Sequence, residues 1–135
     1  MITEEEPAEV IGGLVSRSDQ IKQSIGSINA RDFVTAAKDF SEDVKFHAPG
    51  LGVDVQGREI VVKTVGDFVE QADVSYTVND VVEQGPFVVA FLRSIGTIDS
   101  KRVEWDLCQL VRYEGDRIAE IWALRGGPPQ PTSSS

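Results

Sequence analysis

Apolar residues along the first part of the chain recur at steps of three and four: Ile11, Leu14, Val15, Ile21, Ile25 and Ile28, with Ser18 on the same line. That spacing forms one stripe on a helix, and Thr3 with Glu6 offers a capping box ahead of it. Asn29-Ala30-Arg31 interrupts the stripe, and Asp32 is placed to cap a short second helix carrying Phe33, Ala36, Ala37 and Phe40. Val44 to Ala48 is a brief β run stopped by Pro49-Gly50. A third helix starts near Gly57 and presents Ile60, Val61, Val65, Phe68, Val69 and Ala72.

After Ala72 the period changes to two. Val74, Tyr76 and Val78 alternate with polar neighbours, as in a half-buried strand. A turn at Gln84-Gly85-Pro86 leads into Phe87-Val88-Val89-Ala90-Phe91-Leu92, continuously apolar and expected to be covered on both faces. Val103, Trp105, Leu107, Val111 and Tyr113 alternate with Arg102, Glu104, Asp106 and Arg112. Glu114-Gly115-Asp116 makes a tight hairpin, and Arg117 to Arg125 is the last strand. Helices grouped first and strands grouped last predict an α+β fold with antiparallel strands. Gly126-Gly127-Pro128-Pro129 breaks regular structure, so one domain over residues 1–125 is expected, followed by a disordered C-terminal tail over 126–135.

Composition narrows the partners. The 135 residues suit one domain with its own core. A formal charge of −9 repels phosphate backbones, so no nucleic-acid partner is expected. Part of the excess, Glu4, Glu5, Glu6 and Glu9, favours a helix start electrostatically. The start lacks a signal-peptide pattern, and no apolar stretch approaches ~18 residues, so no membrane association is expected. Cys108 is the single cysteine and makes neither an internal disulfide nor a zinc site, which fits a cytoplasmic setting. No metal and no cofactor are expected; the glycines carry no phosphate-binding fingerprint.

The order ααβα followed by four long strands, with the residues at its corners, resembles the nuclear transport factor 2-like superfamily and its SnoaL-like domains. The matching pieces are Asn29-Ala30-Arg31-Asp32-Phe33, Phe40-Ser41-Glu42-Asp43-Val44, Phe46-His47-Ala48-Pro49-Gly50 and Gly57-Arg58-Glu59-Ile60. The last is the hairpin from Tyr113 to Trp122, with Gly115-Asp116 in swapped order from the usual turn. The resemblance implies a cone-shaped curved antiparallel sheet wrapped around the N-terminal helices, a cystatin-like α+β barrel, with an apolar pocket. It also implies a homodimer paired through the sheets. In support, Trp122 and Leu124 fall opposite Ile121 and Ala123, leaving the last strand apolar on both faces.

The superfamily hosts ketosteroid isomerases, limonene epoxide hydrolases, scytalone dehydratases, polyketide cyclases and non-catalytic domains, so activity must be argued at the pocket. The isomerases' general-base aspartate corresponds to Ala48, and their protonated acid to Gln109, or to Cys108 after a one-residue slip. Glutamine can donate to an oxyanion but is neither acid nor base. The arginine and aspartates of the epoxide hydrolases correspond to Val88, Ala90 and Ala123 or Leu124. Both constellations are vacant.

The catalytic candidates left are His47 and Asp106. His47 is the only histidine, a type that changes charge between about pH 5 and 8, yet its alternation with Phe46 and Ala48 turns it outward. Asp106, between Trp105 and Leu107, turns outward for the same reason unless a bulge shifts the register. The expected pocket lining is Phe46, Ala48, Trp105, Gln109, Tyr113, Ile121 and Ala123. Gln109 needs a partner if buried, since an unpaired amide costs ~1–3 kcal/mol; a ligand, a water and Tyr76 all qualify. Arg93 suits either an anionic ligand or an ion pair. Three functions follow. The first is a pocket binding a small apolar or polycyclic molecule. The second is an acid–base enzyme of the cyclase, isomerase, dehydratase or hydrolase kind using His47 and Asp106. The third is a dimerisation or adaptor domain with a filled interior.

Overall fold

The computed structural model describes residues 16–132. The Thr3–Glu6 cap, the N-terminal acidic cluster and the apolar positions Ile11, Leu14 and Val15 lie outside them. Helix α1 (Arg17–Asn29) begins where the Ser16 hydroxyl accepts from the Asp19 N–H, and it buries Ile21, Ile25 and Ile28. Asp32 caps the short α2 (Phe33–Ala36), its carboxylate accepting from the Thr35 N–H at 3.2 Å, as the sequence predicts. Helix α3 (Arg58–Gln71) buries Val61 and Val69. A β-carbon at Gly66 would stand 3.2 Å from the Phe33 ring, so glycine there lets α2 and α3 close on each other. Ile60, expected on the buried stripe, is 53% exposed because it falls on the Lys63–Asp67 side of α3, turned away from Val61 and Val69.

The strands are β1 (Phe40–Ala48), β2 (Val53–Gln56), β3 (Ser75–Gln84), β4 (Phe87–Ile98), β5 (Lys101–Glu114), β6 (Arg117–Arg125) and β7 (Gln130–Pro131). They form one curved, open sheet in the order β2-β1-β6-β5-β4-β3, with β7 on β5. The sheet is mixed, because β1 and β6 pair in parallel. Those two are not hairpin neighbours, so no turn forces them antiparallel. The short β2 has only Val53 and Val55 as apolar positions and does not announce itself in sequence. Part of the expected tail is paired. β5 extends beyond the end of β6, and β7 takes up its free edge at Val103 and Glu104.

Two faces follow from the register. The concave face carries Val88, Ala90, Leu92 and Ser94 of β4, then Trp105, Leu107, Gln109 and Val111 of β5, all against the helices. An extra residue, Ala119, bulges β6 opposite Arg112–Tyr113, so Ile118 and Ile121 both point inward although three residues apart. The convex face carries the alternate residues. Phe87 and Phe91, expected to be covered, are exposed there, Phe91 to 45%, because among the described residues no element packs over β4 on that side.

His47 also lies on the convex face, stacked on its cross-strand neighbour Trp122 with ring centroids 5.5 Å apart. Its Nε2 lies 2.6 Å from Glu120 and its Nδ1 3.1 Å from Asp54. Arg112 donates to the second Glu120 oxygen at 3.1 Å and to Glu114 at 2.9 Å. Burial alone would push the Glu120 carboxyl up, but the hydrogen bonds and charges of His47 and Arg112 outweigh it and hold it below its usual value. A depressed folded-state pKa contributes stability above the unfolded value, about 4.5, and loses it as pH falls through the folded one. Glu120→Gln is therefore expected to lower the melting temperature at neutral pH, the gap to the native chain closing below about pH 4.5. Thermal melts from pH 7 to pH 3 check this; a gap that widens on acidification refutes it.

Candidate functional site

The concave face and the helices leave two adjoining hollows. The larger, about 270 Å³, lies toward the end of β1 and the start of β5 and is lined by Ala48, Leu51, Val53, Phe68, Ile98 and Trp105. The smaller, about 70 Å³, is deeper, among Ile21, Ile25, Phe33, Val61, Gln109 and Ile121. They share a wall of Phe46, Val65, Tyr76, Leu107 and Ala123. Gly96 shapes this region: a β-carbon there would stand 3.1 Å from the Trp105 ring and from the Ala72 carbonyl oxygen, so glycine lets the indole lie close against β4.

Six of the seven expected lining residues, Phe46, Ala48, Trp105, Gln109, Ile121 and Ala123, border one hollow or both. Tyr113 does not. It faces inward but lies under the start of α1, where its hydroxyl donates to Gln20 at 2.9 Å and the Arg17 guanidinium covers its ring at 4.6 Å. Arg17 also donates to the turn carbonyls of Gly85 and Gly115, at 2.9 and 2.8 Å, fastening the helix to two hairpins. Burial, together with Asp39 and Glu83 and against Arg17, pushes the Tyr113 hydroxyl up to about 12.

The two catalytic candidates face away from both hollows. Asp106 stands on the convex face, 3.2 Å from Arg93, which also meets Glu104 at 3.4 Å. His47 is held on that face by Glu120 and Asp54. The two do not share a site. Among the described residues, no carboxylate and no imidazole lines the hollows, and no group of three or more His, Cys, Asp or Glu is placed to hold a metal.

What the hollows do contain is a sparse set of polar groups. The side chains of Gln109 and Tyr76 make no hydrogen bond among the described residues, so Tyr76 is not the partner of Gln109. Burial pushes the Tyr76 hydroxyl up to about 12, against the nearby Arg31 charge, which keeps it a neutral donor at physiological pH. Ser94, between Tyr76 and Trp105 in the register, lines neither hollow; it is fully buried with an unpartnered hydroxyl. Arg125, in register with Leu107, continues the inward row of Ile121 and Ala123 to the rim of the larger hollow. Tyr76 and Arg125 were legible as period-two extensions of apolar rows; Leu51 was not, since it sits on the turn after β1.

Comparison with known proteins agrees with this geometry. The family model of the SnoaL-like domain matches residues 21–121. No curated protein matches the chain. Among solved structures, Bal32a from a soil-derived mobile gene cassette superposes with a TM-score of 0.74 at 18% identity, covering 80% of this chain and 87% of its own. A cystatin-fold protein of Novosphingobium aromaticivorans gives 0.72 at 20% identity, covering 83% and 100%. A nuclear transport factor 2-like protein of Burkholderia pseudomallei gives 0.72 at 17%, covering 81% and 90%. At these identities the likeness is one of fold, whereas the family match spans most of the chain together with the strands and helices that enclose the hollows: the chain belongs to the SnoaL-like domain family.

Proposed function

We propose that this domain binds a small, largely apolar molecule in the two hollows, with Gln109 and Tyr76 meeting its polar atoms. The observation that carries the reading is an apolar interior with two hydrogen-bonding side chains that have no partner among the described residues. A few polar groups set in a mostly apolar hollow are what fixes the orientation of a small ligand. Acid–base catalysis through His47 and Asp106 is not supported, since neither touches the hollows. The adaptor reading, with a filled interior, fits poorly with a hollow of about 270 Å³. Among the described residues, no helix is long and apolar enough to cross a membrane; a cytoplasmic site of action rests on the lone thiol of Cys108.

We further propose that a second copy of the chain covers the convex face. Cross-strand rows Val82–Val89–Leu110–Trp122 and Phe91–Cys108–Leu124 lay a continuous apolar band over the strands. Such a band on a monomer marks an interaction surface, and an open sheet face suits two-fold pairing of like with like.

Two outcomes are expected. Gln109→Leu is expected to melt close to the native chain, since the amide holds no partner among the described residues and its loss breaks no bond. It also diminishes the thermal shift produced by an apolar ligand carrying a carbonyl; a panel of steroids, terpenoids and aromatic polyketides is the screen, and no shift from any of them favours the adaptor reading. Phe91→Glu yields a folded monomer in sedimentation, where the native chain sediments as a dimer at micromolar concentration; a native monomer at high micromolar concentration counts against the pairing.

A further inference from the structure

Positive charge is scarce in this acidic protein, 13 basic against 22 acidic residues, and nearly every described arginine is engaged. Arg31 and Arg102 meet Asp73, Arg58 meets Glu42, Arg93 meets Glu104 and Asp106, and Arg112 meets Glu114 and Glu120. Arg17 and Arg117 donate to backbone carbonyls. Arg125 alone among the described arginines makes no side-chain hydrogen bond and no ion pair. It stands at the rim of the larger hollow, whose remaining lining is almost wholly apolar.

The register keeps the acid beside it in the sheet out of reach. Arg125 pairs with Leu107 on the concave side. Asp106 is one residue away on β5 and therefore on the opposite face, where Arg93 holds it. A cation with no carboxylate partner among the described residues is poised for a charge from outside. Its planar fork matches a carboxylate bidentately. The overall charge of −9 resists a dianion more than a monoanion, so one carboxylate is a better match than a phosphate.

Taking the hollow as a binding site, as the proposed function does, we infer that its ligand is an apolar organic acid. Its carboxylate sits on Arg125 at the rim, and its body runs past Trp105 and Leu107 toward Tyr76. The acid end stays near solvent, where ionisation costs little, while the apolar end is desolvated.

Matched pairs differing only in the head group test this: decanoate against decan-1-ol, and 2-naphthoate against 2-naphthalenemethanol. Titration calorimetry on the full chain at pH 7 is expected to give each acid about tenfold tighter binding than its alcohol. Arg125→Met brings that ratio close to one, and Arg125→Lys keeps part of it. Equal binding of acid and alcohol to the native chain overturns the inference while leaving the hollow a binding site. An acid preference that persists in Arg125→Met overturns it as well. Binding of neither pair removes the binding reading and this inference together.

Discussion

The structure depends on one constraint, the alternation of side chains across β4, β5 and β6 over a sheet whose described helices all lie on one side. Val88, Ala90 and Leu92 face Val111, Gln109 and Leu107 in strict register, and the last three face Ile121, Ala123 and Arg125. Moving any of these strands by one residue would send its buried set to the convex side. The bulge at Ala119 makes one local exception and keeps Ile118 within the core.

That same alternation sorts the chemistry. It sends Gln109, Tyr76 and Arg125 to the concave side and His47, Asp106 and Glu120 to the convex side. The inner set is poor in groups that exchange protons near neutrality; the raised Tyr76 hydroxyl stays neutral. It consists of donors, and donors in an apolar enclosure orient an acceptor-bearing molecule. The outer set is ionic and mutually paired. The His47–Glu120–Arg112 chain ties β1, β6 and β5 across their shared face, and Trp122 shields one side of the imidazole.

One large inward side chain is kept out of the hollows. Tyr113 is drawn under α1 by Gln20 and Arg17. Phe33 packs on Gly66 at the α2–α3 contact and borders the smaller hollow from there. On the wall of the larger hollow Ala48 and Ala123 are small, and the space they leave is bounded by Phe46, Phe68 and Trp105. Aromatic walls around small residues leave a slot suited to an apolar body.

Much of this was present in the order of residues. The helical stripe of Ile21, Ile25 and Ile28, the Asp32 cap, and the period-two rows of β3, β5 and β6 are local patterns, and a local pattern needs no knowledge of what lies across the fold. The inward row from Trp105 to Tyr113 and the outward turn of His47 and Asp106 were legible for the same reason. Other features depended on neighbours distant in sequence. The parallel pairing of β1 with β6, the weak strand β2 and the capture of β7 by the free edge of β5 are pairings between segments, written in no single segment. The exposure of Phe87 and Phe91 depended on whether anything packs over β4, and the diversion of Tyr113 on where the start of α1 comes to lie. Sequence alone thus determined which way each side chain points along its own strand; only the tertiary structure decided what each one meets there, because contact partners are chosen by the packing of the whole chain.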